Sequence, residues 1–79
     1  MKNLLITGGA GFIGNYVSNF ANKKGYNVTI LDNLDKQVHG EKQLWPDYLH
    51  KDINRVFGDV RDSKLVNELV EKNEYIIHL

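Results

Sequence analysis

The sequence predicts an α/β fold in which a parallel sheet of four strands carries helices on both faces. Short apolar runs alternate along the 79 residues with segments whose apolar residues recur at helical spacing. Strands and helices that alternate in this way form right-handed βαβ crossovers, and such crossovers make neighbouring strands parallel. The strand order expected for this unit is 3-2-1-4.

The first strand and the first helix follow directly from the N-terminus. Three bulky apolar residues at 4–6 are bounded by Thr7 and glycines, which is typical of a strand buried on both faces. From Gly11 the period becomes helical, and Gly25 follows two lysines as a residue suited to end a helix. We expect this helix to pack four apolar side chains inward: Ile13, Val17, Phe20 and Ala21.

The middle of the chain predicts two more strands separated by irregular structure. Residues 27–31 are β-branched and apolar, so they predict the second strand, which ends at Asp32. Residues 34–52 contain a glycine and the only proline of the chain, and we interpret them as loop with one short helix. Residues 55–57 predict a third, short strand that Gly58 ends.

The second helix and the fourth strand complete the predicted unit. Asp62 or Ser63 is suited to cap the helix, and residues 75–79 predict the strand. The apolar residues expected on the inner face of the helix are Leu65, Val66, Leu69 and Val70.

Composition and charge narrow the class of protein. The length allows one small domain, and the absence of cysteine excludes disulfides and thiolate metal sites. Ten basic residues balance ten acidic ones, which argues against nucleic acid or an anionic membrane as a partner. The first apolar run is too short for a signal peptide or a membrane span, so we expect a cytoplasmic protein.

Four glycines lie within seven positions between the first strand and the first helix. Gly9, Gly11 and Gly14 fit G-x-G-x-x-G, while Thr7-Gly8 with Gly11 and Gly14 fits T-G-x-x-G-x-x-G. Backbone N–H groups and the helix dipole make an anion site at such a junction. An early glycine allows the tight turn, a middle one lets a pyrophosphate approach the backbone, and the last one lets helix and sheet pack closely.

The glycine motif together with Asp32 predicts a dinucleotide-binding site. Asp32 lies eighteen residues after Gly14, at the end of the second strand, where a Rossmann fold places the acidic residue that holds the adenosine ribose. Asn33 follows it instead of an arginine, which favours NAD over NADP. A phosphoryl-transfer P-loop would require lysine where the chain has Asn15.

Four motifs occur in an order that resembles a known family. "TGGAGFIG", "LDNL", "GDVRD" and "IIHL" together span the chain and resemble the extended short-chain dehydrogenases, which include NAD-dependent nucleotide-sugar epimerases and dehydratases such as UDP-glucose 4-epimerase. The stretches "LDNLDKQVHG" and "WPDYL" resemble the dTDP-L-rhamnose 4-epimerase branch. The resemblance implies a partial Rossmann fold and, in the full-length enzyme, a nucleotide-sugar substrate.

The resemblance also implies roles for individual residues around NAD, in addition to the glycines Gly8, Gly11 and Gly14. The N–H groups of Phe12 and Ile13 would meet the pyrophosphate, and Asp32 with Asn33 would hold the adenosine ribose. The residues implied for the rest of the cofactor are Asp59 at the adenine amino group, Val60 beside its ring, and Leu79, the first position of a segment along the cofactor. Taken alone, Asp59 would be read as a loop cap for the following helix.

Catalytic and metal-binding patterns are absent from the sequence. The family's Tyr-x-x-x-Lys pair does not occur, because no tyrosine has lysine four positions later. The three histidines, His39, His50 and His78, are too far apart in sequence for a local metal site, so we expect no metal. We therefore expect residues 1–79 to be the NAD-binding half-domain of a longer enzyme.

Two other hypotheses remain open. In the first, the chain is a non-catalytic NAD-sensing module that kept the cofactor site without the reaction. In the second, it is an interaction protein that uses the open outer edge of its fourth strand for self-association, since unpaired strand edges pair readily with other chains.

Overall fold

The computed structural model describes residues 2–34, 45 and 47–79. Most of the predicted loop and short helix at 34–52, together with His39, lies outside the described residues. The elements in chain order are β1 (Asn3–Thr7), α1 (Phe12–Lys23), β2 (Asn27–Asp32), β3 (Asn54–Phe57), α2 (Ser63–Lys72) and β4 (Tyr75–His78). Each predicted strand is present, with bounds that differ by one residue at most.

The four strands form one parallel sheet in the order β3-β2-β1-β4, which confirms the predicted topology. The central strand β1 pairs Ile6 with Ile30 of β2 on one side and with Ile77 of β4 on the other. Because all four strands run the same way, their carboxyl ends meet at one edge of the sheet. That edge faces the glycine turn between β1 and α1.

The helices cover opposite faces of the sheet, as predicted. Side chains alternate along a strand, so Leu4 and Ile6 point toward α1 while Leu5 points toward α2. The α1 side holds the larger core: Leu4, Ile6, Ala10, Ala21, Val28, Ile30, Leu34, Leu49 and Ile53. The α2 side holds the buried residues Leu5, Leu31 and Leu69.

The predicted inner face of α1 is wrong at two positions. Ile13 and Phe20 are 68% and 62% exposed, whereas the buried residues of the helix are Gly14, Ser18 and Ala21. The helix packs its small residues against the backbone of the glycine turn, and the Ser18 hydroxyl donates to the Gly9 carbonyl at 3.3 Å. Close packing on a backbone favours small side chains, so the apolar stripe is rotated outward.

The predicted helix ends are confirmed. Gly25 follows α1 with a φ of +95°, the left-handed conformation that glycine adopts readily. The Asp62 side chain accepts a hydrogen bond from the Leu65 N–H at 3.2 Å and caps α2. On the inner face of α2, Leu69 is buried, but Val70 is 39% exposed, so its predicted inward position is wrong.

β4 is the more exposed outer strand of the sheet. Among the described strands it pairs with β1 alone, and the Ile76 side chain is 48% exposed. Its outer edge therefore presents backbone groups that no described strand uses. No helix in the described part of the chain has the length and apolar character needed to cross a membrane.

Candidate functional site

The glycine turn begins at Gly8, directly after β1. Gly8 has a φ of +77°, its N–H donates to the Leu31 carbonyl at 2.7 Å, and its carbonyl accepts from the Gly11 N–H at 3.2 Å. A Cβ at Gly8 would also lie 3.2 Å from the Leu79 carbonyl oxygen. Both the backbone conformation and the available space therefore require glycine here.

Close packing of the turn depends on two other glycines. A Cβ at Gly14 would clash with the Gly8 carbonyl oxygen and lie 2.8 Å from the Gly9 Cα atom. A Cβ at Gly9 would clash with the Ile30 side chain of β2. The sequence assigned the close helix–sheet contact to Gly14, but Gly14 packs against the turn and Gly9 makes the contact with the sheet.

Gly11 occupies the N-cap position of α1, and because it has no side chain it leaves the N–H groups of the first turn uncapped. No side chain caps the helix, and its first turn contains no acidic residue. A Cβ at Gly11 would meet one atom, the Gly8 carbonyl oxygen, at an ordinary 3.5 Å. The side chains of Phe12 and Ile13 are mostly exposed, so this helix end offers N–H groups and a favourable dipole to an anion.

The Asp32 carboxylate is fixed at the carboxyl end of β2. Its Oδ2 atom accepts from the Ala10 N–H at 3.1 Å, and its Oδ1 atom accepts from the Leu34 N–H at 2.8 Å. The Asp32 carbonyl accepts from the Gly58 N–H at 3.1 Å, and the residue is 9% exposed. A negative charge is thus held in one place beside the turn.

A cavity of about 170 Å³ opens at the carboxyl edge of the sheet. It brings together six of the predicted site residues, and three more that the sequence did not assign to the cofactor. The predicted residues that line it are Gly8, Asp32, Asn33, Asp59, Val60 and Leu79. The three additional residues are Leu31, Gly58 and His78.

These additional residues had a signal in the sequence, because each lies at or just after the end of a predicted strand. The other predicted residues lie at the N-terminal end of α1, outside the lining of this cavity. They are Gly11, Phe12, Ile13 and Gly14. The turn therefore connects a cavity on one side with an uncapped helix end on the other.

Asp59 is paired with Arg61 at the rim of this cavity. The Arg61 side chain donates to Asp59 from Nη2 at 2.6 Å and from Nε at 3.0 Å, and the Arg61 N–H donates at 2.8 Å. These side-chain and backbone hydrogen bonds from Arg61 lower the pKa of Asp59 to about 2. The carboxylate is therefore ionised throughout the neutral range.

Among the described residues, no three acidic or histidine side chains lie close enough to hold one metal ion. The Nδ1 atom of His50 accepts a hydrogen bond from the Asp52 N–H at 3.1 Å. A backbone group two residues away therefore already occupies that ring nitrogen. His78 lies instead at the cavity, at the end of β4.

Three features together define the class of fold to which this chain belongs. They are the parallel sheet, the glycine turn and the acidic residue at the end of β2. A strand–glycine turn–helix unit with an acid at the end of the next strand is the first half of a dinucleotide-binding Rossmann fold. The sequence profile of the NAD dependent epimerase/dehydratase family matches residues 4–79. The chain belongs to this family, and NAD is the cofactor that the family uses, as the sequence predicted.

Individual relatives agree with this assignment. The chain is 36% identical over 78 residues to a UDP-N-acetyl-alpha-D-glucosaminuronate decarboxylase of Bacillus cytotoxicus, covering 99% of this chain and 23% of the relative. It is also 36% identical over 80 residues to a dTDP-L-rhamnose 4-epimerase of Burkholderia thailandensis, covering 99% and 22%. The chain is equally identical to these two relatives, which have different activities. The identities therefore do not single out the dTDP-L-rhamnose 4-epimerase branch that the sequence resembles.

A solved structure shows the same fold with the cofactor of the family. The enzyme WbmH of Bordetella bronchiseptica, in complex with NAD+, superposes with a TM-score of 0.78 at 28% identity. The match covers all of this chain and 25% of WbmH. The chain thus spans about a quarter of the length of the proteins it matches.

Proposed function

We propose that this chain binds NAD at the carboxyl edge of its sheet, as the N-terminal half-domain of a longer nucleotide-sugar epimerase or dehydratase. The observation that carries the proposal is the uncapped N-terminus of α1 beside the buried Asp32 carboxylate. Together they offer an anion site and a hydrogen-bond acceptor on the two sides of one turn. A dinucleotide presents both a pyrophosphate, which an open helix N-terminus binds, and a ribose diol, which an acidic side chain accepts.

The pyrophosphate would lie against the turn at the start of α1. The N–H groups of Phe12 and Ile13 would donate to it, because no side chain caps this helix end. A Cβ at Gly11 would make one ordinary contact, with the Gly8 carbonyl oxygen, so little of the protein obstructs a phosphate that approaches the backbone here. Gly8 and Gly14 support this arrangement by shaping the turn and seating the helix on it.

The adenosine would lie in the cavity at the carboxyl edge of the sheet, against the ends of β2 and β3. Asp32, with Asn33 beside it, would accept the ribose hydroxyls, and its negative charge would repel the 2′-phosphate of NADP. Asp59 would accept from the adenine amino group while it stays paired with Arg61, and Val60 would flank the ring. Leu79 would lie along the cofactor at the end of β4, beside Gly8.

The reaction of the longer enzyme would be oxidation of a sugar carbon, for which bound NAD supplies the hydride acceptor. This chain's residues would bind and orient the cofactor, and the catalytic tyrosine and lysine would come from outside residues 1–79. The names of the relatives support nucleotide sugars as the substrate class, since they act on UDP- and dTDP-linked sugars. We place the protein in the cytoplasm, in keeping with its lack of cysteine.

The outer edge of β4 would be covered in the working protein. Additional polypeptide of the longer chain would pair with it, and the 79 residues alone would self-associate there. The support is the exposure of Ile76 and the pairing of β4 with β1 alone among the described strands. An open parallel edge is a template for a further strand.

A thermal-shift titration tests cofactor binding. Ligand at a hundredfold excess over its dissociation constant stabilises the folded state by about 2.7 kcal/mol, so NAD should raise the melting temperature and NADP should raise it less. Asp32→Asn removes the charge and one of the two backbone acceptors with little change in shape, and should abolish the preference for NAD. The matched control is Asp52→Asn, which alters an exposed aspartate away from the cavity.

Two outcomes would contradict the proposal. Equal shifts with NAD and NADP in the unmodified chain would exclude the role of Asp32 in discrimination. An unmodified chain that is folded but binds neither nucleotide would exclude a cofactor site in these residues. A natural protein that ends near Leu79 and binds NAD would instead support the sensing module.

A further inference from the structure

Tyr48 lies far from the predicted cofactor residues in sequence, yet its hydroxyl reaches the glycine turn. This hydroxyl donates a hydrogen bond to the Ala10 carbonyl oxygen at 3.1 Å, across 38 residues of chain. The Tyr48 ring lies with Phe12, Asn15 and Tyr16 along a surface cavity at the first turn of α1. Tyr48 therefore contacts the turn and shares a cavity with the helix end at which the pyrophosphate would bind.

Two consecutive peptide groups of the turn are held from both sides. In the peptide group between Gly9 and Ala10, the carbonyl accepts from Ser18 and the N–H donates to Asp32. In the next peptide group, the N–H of Gly11 donates to the Gly8 carbonyl at 3.2 Å. The carbonyl of that second group is the one that Tyr48 holds.

The backbone around Tyr48 is itself attached to α1. The Asn19 side chain donates to the Tyr48 carbonyl at 3.0 Å and accepts from the His50 N–H at 2.9 Å. Between these two residues, Leu49 is 5% exposed in the core on the α1 side of the sheet. The hydroxyl is thus presented to Ala10 from a fixed position.

We propose that Tyr48 is a positioning residue for nucleotide binding, and this rests on the proposed function. Its hydroxyl fixes the peptide group between Ala10 and Gly11, and so directs the first N–H groups of α1 toward a pyrophosphate. Glycines give this turn wide conformational freedom, so the turn needs an external restraint. Tyr48 does not line the cavity proposed for adenosine, so its effect is confined to the phosphate end of the ligand.

NMR titration with NAD, ADP-ribose and adenosine separates these two ends. Tyr48→Phe removes the hydroxyl alone, and the loss of one neutral hydrogen bond should weaken NAD and ADP-ribose by about fivefold. Adenosine has no phosphate, so its affinity should be unchanged. A general loosening of the fold would instead weaken all three ligands in the same proportion.

Two further variants complete the test. Asn19→Ala releases the Tyr48 backbone from α1 without changing the tyrosine, and should weaken the same two ligands in the same direction. Tyr75→Phe removes a hydroxyl that accepts from Lys2 Nζ at 3.1 Å at the amino end of the sheet. This matched control should bind all three ligands as the unmodified chain does.

The outcomes distinguish this inference from the function on which it rests. An unmodified chain that binds neither NAD nor adenosine overturns the proposed function, and the role of Tyr48 with it. If the unmodified chain binds all three ligands, then wild-type affinities in Tyr48→Phe overturn the positioning role alone. A proportional loss that includes adenosine overturns it as well.

Discussion

The Thr7 hydroxyl and the His78 ring form a hydrogen bond, with 2.5 Å between Oγ1 and Nδ1, across the carboxyl ends of β1 and β4. Thr7 is 5% exposed, and His78 lines the cavity at this edge. Beside it, the Leu79 N–H donates to the Thr7 carbonyl at 3.0 Å. These contacts hold the end of β4, which forms one wall of the cavity, against Thr7, the residue before Gly8.

Replacing Thr7 with valine should therefore destabilise the fold by about 1 kcal/mol, the usual net contribution of one hydrogen bond. Valine keeps the shape and the β-branch of threonine, so packing should change little. The measurement is the free energy of unfolding from urea denaturation. Thr29→Val is the control, since that hydroxyl accepts one long contact of 3.5 Å from Asn54; an equal loss there would contradict the prediction.

Gly11 and Gly14 should respond differently to alanine. Gly14→Ala places a Cβ against backbone atoms that have no room to move, and should cost about 1–3 kcal/mol as overpacking does. Gly11→Ala places it in ordinary contact with one atom at a φ of −74°, and should change stability by a few tenths to about 1 kcal/mol. The methyl group would nevertheless obstruct a pyrophosphate.

Urea denaturation and NAD titration of both variants check this contrast. We expect Gly11→Ala to fold and to lose NAD binding, which separates a glycine kept for a ligand from one kept for packing. A Gly11→Ala protein that binds NAD normally would contradict the proposed path of the pyrophosphate.

The cap of α2 gives a prediction of stability alone. Asp62→Ala removes the acceptor of the Leu65 N–H, and should cost about 1 kcal/mol, as the loss of such caps does. Asp62→Asn is the matched control, because asparagine caps helices about as well as aspartate. Equal urea midpoints for the two variants would show that the cap contributes nothing measurable.

The pairing of Asp59 with Arg61 predicts a specific pH dependence. The pKa of Asp59 is lowered from 3.8 to about 2 by hydrogen bonds from Arg61, so the folded state binds this proton less tightly than the unfolded state. The stabilisation is present above the unfolded pKa and is lost as the pH falls through the folded pKa. NMR titration of the side-chain carboxyl carbon should show this low pKa, and Arg61→Gln should raise it toward 3.8.

The open edge of β4 predicts concentration-dependent self-association of the 79-residue chain. Ile76→Lys places a charge on an exposed apolar position of that edge strand, and charged edge strands resist pairing with other chains. Sedimentation velocity should show less association for this variant. Val70→Lys on α2 is the control at a similarly exposed apolar residue, and an equal effect there would indicate a general change in solubility.

The sequence predicted the strands and their order, and it named six of the nine residues that line the cavity, because those signals are local. Glycines, Asp32 and the strand ends fall at fixed intervals, and a parallel sheet brings all the carboxyl ends to one edge. The face of α1 was not predictable from hydrophobicity, because Gly14 and Ser18 are buried for their small size. The contact between Tyr48 and Ala10 was not predictable either, since the two residues lie 38 positions apart in the sequence and no motif links them.

The strand order also determines when the candidate site can form. β1 is near the start of the chain and lies in the interior of the sheet. Its partner β4 comes much later in the sequence, because Leu4 of β1 pairs with Tyr75 of β4. Closing so long a loop is slow compared with local contacts. During synthesis the glycine turn and Asp32 would emerge early. The cavity wall formed by His78 and Leu79 would emerge only after α2 and β4 have been synthesised. Nucleotide is therefore expected to bind after β4 docks, and to serve as a reporter of the last step in assembling this sheet.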